Sequence, residues 1–279
     1  MTRSHPPRRT TIATVTDEIG IEFGVYGEWR LRAEFTPVYA SAGINLRAVA
    51  MKGRVSPHLH GDVCEPRVFR QAVLARDRPM VASLAVALCL RNLQNTFLDG
   101  LKLVVAADPA LAARETLLKA AARTLGREIE GVGLPPDDVI VDLTPLGETG
   151  MLRDAALALR SRMIRFALVE AGEGTALREG VPRPDLVVIA AEWFESICAQ
   201  PATTHLFRTL VQGYRTRGSI VLIEGVRSAA ALRLALEAGA DWLCGELLAE
   251  EAPAGALFPE ASLPLRTLLD ERRVIKLSR

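Results

Sequence analysis

The chain has 279 residues, 49% of them hydrophobic and 24% charged, with 34 basic side chains against 33 acidic ones. A chain of this length buries a large core, which excludes a peptide-sized module and fits either two ordinary domains or one barrel-sized α/β domain. A formal charge of +1 argues against a strongly basic nucleic-acid-binding surface.

Residues 1–24 begin as a basic, Pro- and Thr-containing stretch without a clear apolar period, and the expectation is a flexible arm. Its Arg8-Arg9 pair is not followed by the apolar run of a secretory signal. The longest apolar stretch, 81–90, is far shorter than the roughly 20 residues that span a bilayer. A cytoplasmic protein without a membrane segment is expected. Cys64, Cys89, Cys198 and Cys244 form no CxxC pair, so free thiols are expected rather than a zinc ribbon or a disulfide framework.

From residue 35 onward, short β-branched runs alternate with longer Ala/Leu/Arg segments of helical period, the pattern of βαβ units. Strands are expected at 46–51, 101–106, 139–143, 164–169, 186–189, 219–223 and 241–243. Helices are expected at 66–74, 82–97, 109–125, 151–160, 204–216 and 229–238. Asp108 before Pro109 reads as a helix cap with proline in the first helical position, and Gly239 reads as a helix stop. The strands are nearly all apolar, so both faces should be covered, as in a parallel sheet wrapped by helices. Roughly seven or eight such units without a composition break favour a single β/α barrel; the runner-up is a doubly wound sheet. No glycine-rich dinucleotide fingerprint or Walker A sequence follows a strand.

Barrel chemistry sits at the C-terminal strand ends. Those ends carry Gly53 and Arg54, Ala107 and Asp108, Asp142 and Thr144, Glu170, Ala190 and Glu192, Glu224 and Arg227, then Cys244 and Gly245. Acids recur and no histidine or lysine is among them. His58-Leu59-His60 offers alternate residues that a strand would point one way, yet a solvated loop after Ser56-Pro57 is the expectation. Cys244 is expected to be buried and inert, for want of a neighbouring histidine.

Two segments are specific. Ile220-Val221-Leu222-Ile223-Glu224-Gly225-Val226-Arg227 and Gly239-Ala240-Asp241-Trp242-Leu243-Cys244-Gly245 resemble the AEGVE…GxDxxQG signature of EAL domains, the cyclic di-GMP phosphodiesterases. In matching order, Phe35-Thr36-Pro37-Val38 resembles the YQPI strand, Ala48-Val49-Ala50-Met51 takes the place of the EAL tripeptide, and Val55-Ser56-Pro57 resembles ISP. Val141-Asp142-Leu143-Thr144 resembles E-I-T-E, residues 166–174 resemble A-L-D-D-F-G-T-G, and residues 184–190 resemble P-x-D-x-x-K-x-D. The resemblance covers roughly residues 30–250 and implies one TIM-like barrel whose first strand runs antiparallel to the rest. It gives an arm at 1–24, a barrel domain at 25–253 and a C-terminal extension at 254–279. Within that extension, 263–269 is expected to be a short helix and 272–277 a last extended segment.

Active EAL domains use carboxylates and an asparagine to hold two divalent cations that activate the attacking water. By the resemblance, Val49 stands at the tripeptide glutamate, Val105 at the asparagine, Val169 at the first aspartate of D-D-F-G, and Val188 and Ala190 at the lysine and aspartate of K-x-D. Arg227 stands at the second glutamate of E-G-V-E and Cys244 at the late glutamine. Only Asp142, Glu224 and Glu170 keep an acid. The resemblance therefore implies a catalytically inactive domain with no catalytic residue, no metal and no cofactor, magnesium and manganese included, acting in bacterial regulation through an unidentified protein partner. A non-catalytic cyclic di-GMP receptor is the alternative, with Pro37, Arg54, Asp142, Glu170, Glu224 and Arg227 as candidate ligand-binding residues. A phosphodiesterase, or a barrel enzyme with relocated chemistry, ranks below both. Nucleic acid and membrane are not expected as partners, and a homodimer is left open.

Overall fold

The computed structural model describes residues 11–113, 115–172, 174, 176–258 and 262–270. Two strands, β1 (Ile12–Thr16) and β2 (Glu22–Tyr26), form an antiparallel pair where a flexible arm was expected, while residues 1–10 lie outside the described residues. The polar turn between them hides the alternation. Asp17 closes it by accepting hydrogen bonds from the N–H groups of Ile19 (3.1 Å) and Ile21 (2.8 Å), an aspartate turn that needs no apolar signal.

The chain continues into a long hairpin of β3 (Trp29–Ala42) and β4 (Asn45–Leu59), extended by β5 (Asp62–Val63). Val38 lies opposite Ala50 and Tyr39 opposite Ala48, so Val49 is the extra residue of a β-bulge. After α1 (Pro66–Ala72) and α2 (Arg78–Asn92), β/α units alternate: β6 (Lys102–Ala106), α3 (Glu115–Val132), β7 (Val139–Asp142), α4 (Thr149–Arg160), β8 (Arg165–Glu170) and β9 (Leu186–Ile189). There follow α5 (Ala191–Cys198), α6 (Thr204–Thr216), β10 (Ile220–Ile223), α7 (Ala229–Ala238) and β11 (Trp242–Leu243).

Strands β3, β4 and β6 to β11 close into an eight-stranded barrel. β3 is antiparallel to both its neighbours, β4 and β11, and the other contacts around the ring are parallel. This is the expected barrel, first strand included.

Alternation along the strands divides the core in two. Val38, Ala50, Val104, Ile140, Val188 and Trp242 fill the lumen, while Phe35, Met51, Leu103, Val141, Leu168 and Ile223 face the helices. Eight strands leave an interior just wide enough for such side chains, so the barrel is packed below its mouth. Two motif aspartates act at the opposite, N-terminal end. Asp185 accepts from the N–H of Phe166 (3.1 Å) and Asp241 from the N–H of Val221 (2.9 Å), each pinning the start of the preceding strand. Gly239 ends α7 at φ +85°, as expected of a stop residue, and Ser228 caps its start by accepting from the N–H of Ala231 (3.1 Å).

Several boundaries differ from expectation. Asp108 accepts from the N–H of Ala110 (2.7 Å) but caps a 3₁₀ turn, Pro109–Ala113, ahead of the α-helix. The helix expected at 82–97 is α2 followed by a 3₁₀ turn, Leu93–Thr96, and α5 was not foreseen. His58 and Leu59 end β4 and His60 sits in the turn at φ +54°, so the two histidines do not share a strand face. Beyond the barrel, β12 (Ala252–Pro253) pairs with β3, and β13 (Ser262–Pro264) pairs with β4 before α8 (Leu265–Leu268). The segment at 272–277 lies outside the described residues. No helix among the described residues is long and apolar enough to cross a membrane.

Candidate functional site

The strand alternation that fills the lumen brings Lys52, Ala106, Asp142, Val169, Ala190, Glu224 and Cys244 to its C-terminal mouth, in register with Ala50, Val104, Ile140, Ala167, Val188, Leu222 and Trp242 below. Lys52 forms an ion pair with Glu224 across the mouth. Burial opposes the charge on Lys52, but Glu224, Cys244 and Asp142 outweigh it and hold the ammonium above its ordinary range. Asp142 is pushed up by burial, against the hydrogen bonds from Thr144 and the charge of Lys52, with Glu224 adding to the upward shift. Its carboxylate accepts from the N–H of Thr144 at 2.9 Å, and the Thr144 hydroxyl accepts from the N–H of Val169 at 2.7 Å. Cys244 is 4% exposed, and burial followed by the charge of Glu224 pushes its thiol up to about 12. At neutral pH it is a protonated, inert thiol.

Of the six candidate ligand residues, the fold brings two together: Asp142 and Glu224, on either side of Lys52. Arg54 lies on the rim and is already bound by Glu251 (2.5 Å) and Glu34 (2.6 Å). Arg227 is on the outer surface, paired with Glu195 and with Glu246 at 3.4 Å. Pro37 is buried between Phe35 and Tyr39, both of the outer core, so alternation turns it away from the mouth.

Glu170 also leaves the candidate site. It is 1% exposed and points into the helical layer. Its carboxylate accepts from the N–H groups of Gly172 (2.8 Å), Gly174 (3.0 Å) and Ala176 (3.2 Å) and from the Tyr214 hydroxyl (2.7 Å). Four donors account for this carboxylate as a fastener of the loop after β8. The Tyr214 hydroxyl is held well above the usual phenol range by burial and then by Glu170.

Sequence reading missed Lys52 because it ended the second barrel strand at residue 51. β4 runs on to Leu59, so Lys52 is an inward position of a continuing strand. The assignment of Val105 to the asparagine position also changes. Val105 is 3% exposed in the outer core, and the mouth-facing neighbour is Ala106.

A two-metal centre needs several oxygen donors converging on each cation. Among the described residues, no group of three or more His, Cys, Asp and Glu side chains is placed to hold a metal. Val49, Ala106, Val169 and Ala190 present hydrocarbon, and the ammonium of Lys52 lies against one of the two mouth acids. These residues do not fit the magnesium or manganese pair of an EAL phosphodiesterase.

No family model matches the chain, and no curated protein does. Solved structures do. The Klebsiella pneumoniae BlrP1 pH 6 manganese/cyclic di-GMP complex superposes with a TM-score of 0.70 at 17% identity, covering 91% of this chain and 60% of that one. The FimX EAL domain from Pseudomonas aeruginosa bound to cyclic di-GMP gives a TM-score of 0.65 at 16% identity, over 83% of this chain and 93% of that domain. This chain has the EAL-domain fold. A standalone EAL protein from Vibrio cholerae O395, in its cyclic di-GMP-bound form, gives a TM-score of 0.63 at 13% identity over 80% and 92% of the two chains. The match spans less than two thirds of BlrP1.

Proposed function

We propose that this chain is a member of the EAL family that has lost phosphodiesterase chemistry and works as a regulatory scaffold through protein–protein contact. The observation that carries the first half is the Lys52–Glu224 ion pair beside Asp142, within a mouth whose other inward positions are hydrocarbon or thiol. An ammonium supplies positive charge without supplying the activated water of a metal centre. Exposed apolar side chains favour the second half. Val63, Val68, Leu74 and Met80, between 44% and 69% exposed, are gathered along β5, α1 and the entry to α2. Such clusters mark contact surfaces.

A non-catalytic cyclic di-GMP receptor is the second reading. It is favoured by a BlrP1 structure that holds cyclic di-GMP with no metal ions, so that fold retains the ligand without them. Against it, the rim guanidinium of Arg54 is already neutralised by Glu34 and Glu251. Calorimetric titration of the purified chain with cyclic di-GMP, with and without magnesium, separates the readings. The scaffold predicts no saturable heat at micromolar ligand; a micromolar isotherm without turnover establishes the receptor instead.

A further inference from the structure

A cavity of about 810 Å³ lies between the outer wall of β4, helices α1 and α2, and the segments that follow β6 and β7. That volume is in the range of small-molecule sites, roughly 300–1,000 Å³. Its floor is apolar: Leu31, Val55, Phe69, Val81, Cys89 and Val105. Gly53 lines the same wall, where a Cβ would meet the Cβ of Cys89 at 3.0 Å.

Its rim is cationic. Arg67 and Arg70, three apart on α1, and Arg78 at the start of α2 all line the cavity and are exposed. None of the three guanidinium groups forms an ion pair or hydrogen bond with a described residue. Among the nearby acids, Asp108 accepts from Ala110, Asp77 pairs with Arg76, and Glu34 and Glu251 hold Arg54. Glu65, the exposed N-cap residue of α1, is the acid beside Arg67, and the first turn of α1 adds none. An apolar chamber beneath three guanidinium groups that have no partner among the described residues selects an apolar body with an anionic head.

We propose that this cavity is a binding site for an amphipathic anion, an acyl or alkyl chain ending in a carboxylate or phosphate, with Arg67, Arg70 and Arg78 holding the head and the wall between β4 and α2 taking the chain. The site adjoins the barrel mouth, because Arg54, Ala106 and Asp108 also line it, but its floor of Val55, Cys89 and Val105 belongs to the outer core, and Lys52, Asp142 and Glu224 do not touch it.

The test titrates the full chain with octanoate, decanoate, dodecanoate and decyl phosphate below their micelle concentrations. Affinity is expected to rise about fourfold per added methylene, the increment of burying each CH₂. Comparing decanoate with decyl phosphate distinguishes the two heads. Arg67→Glu/Arg70→Glu alters only exposed side chains and should weaken decanoate binding at least tenfold without changing the melting temperature. Ala85→Phe, which projects into the cavity, should weaken the longest chain most. Decyltrimethylammonium should bind at least tenfold more weakly than decanoate. No saturable binding, affinity independent of chain length, indifference to the arginine reversals, or equal binding of the cation would each overturn the proposal.

Discussion

Replacing Lys52 by methionine keeps the length and apolar stem of the side chain and removes only the ammonium. Glu224 is left without its partner, with Asp142 nearby in the same mouth. Removing one member of a fully buried pair costs about 3–5 kcal/mol, and an exposed pair contributes about 0–1 kcal/mol. The side chains here are 36% and 20% exposed, between those cases, so the loss should be about 2 kcal/mol. For a chain of this size that lowers the melting temperature by roughly 3–4 °C. In the native protein Lys52 stands above its ordinary 10.5, so its contribution is complete below that pH and is lost as pH rises through the folded value. In Lys52→Met the charge that works against the upward shift of Asp142 is gone, so Asp142 rises further. The variant should therefore lose stability relative to wild type as pH climbs above about 3.9, the unfolded value of an aspartate. Lys52→Met/Glu224→Gln should recover most of the loss at pH 7. Urea denaturation of the three proteins at pH 4.5 and 7.5 measures all of this. A deficit that does not grow with pH, or a double variant no better than the single one, would refute the electrostatic account of the mouth.

Asp142, raised by burial, is already a cost to the native state at neutral pH, since its folded form holds the proton more tightly than the unfolded chain does. Asp142→Asn should therefore keep the Thr144 bond and leave stability at pH 7 unchanged or higher by urea titration. Glu170→Ala orphans the Tyr214 hydroxyl and three backbone N–H groups and should cost about 3 kcal/mol, with faster hydrogen exchange at Gly172, Gly174 and Ala176. Gly245→Ala would place a Cβ 2.3 Å from the Val226 nitrogen at φ +154°, so loss of soluble protein is expected on expression, whereas Gly150→Ala meets nothing and should be silent. In native maleimide labelling followed by mass spectrometry, Cys198 and Cys64 should react while the buried Cys89 and Cys244 stay protected until the chain unfolds.

The barrel was legible because its strands are short apolar runs between helical segments, and that pattern follows directly from burying both sheet faces. The motif aspartates Asp185 and Asp241 carried the resemblance and turn out to pin strand starts rather than to touch the mouth. What stayed hidden depends on direction and register. Glu170 and Val105 differ from their mouth-facing neighbours Val169 and Ala106 by a single residue, and one residue of register turns a side chain from the lumen to the helices. The bulge at Val49 and the continuation of β4 to Leu59 place Lys52 inside, and neither leaves a compositional trace. β1 and β2 were lost to the polar turn that joins them.

The central claim is that the mouth lacks metal chemistry because hydrocarbon stands where oxygen donors would have to converge and a lysine has joined the acids that remain. Incubation of the purified chain with cyclic di-GMP and saturating manganese or magnesium, with the products separated by chromatography, tests it directly. The account predicts intact cyclic dinucleotide after prolonged incubation; metal-dependent formation of the linear dinucleotide, abolished in Glu224→Gln, would contradict it.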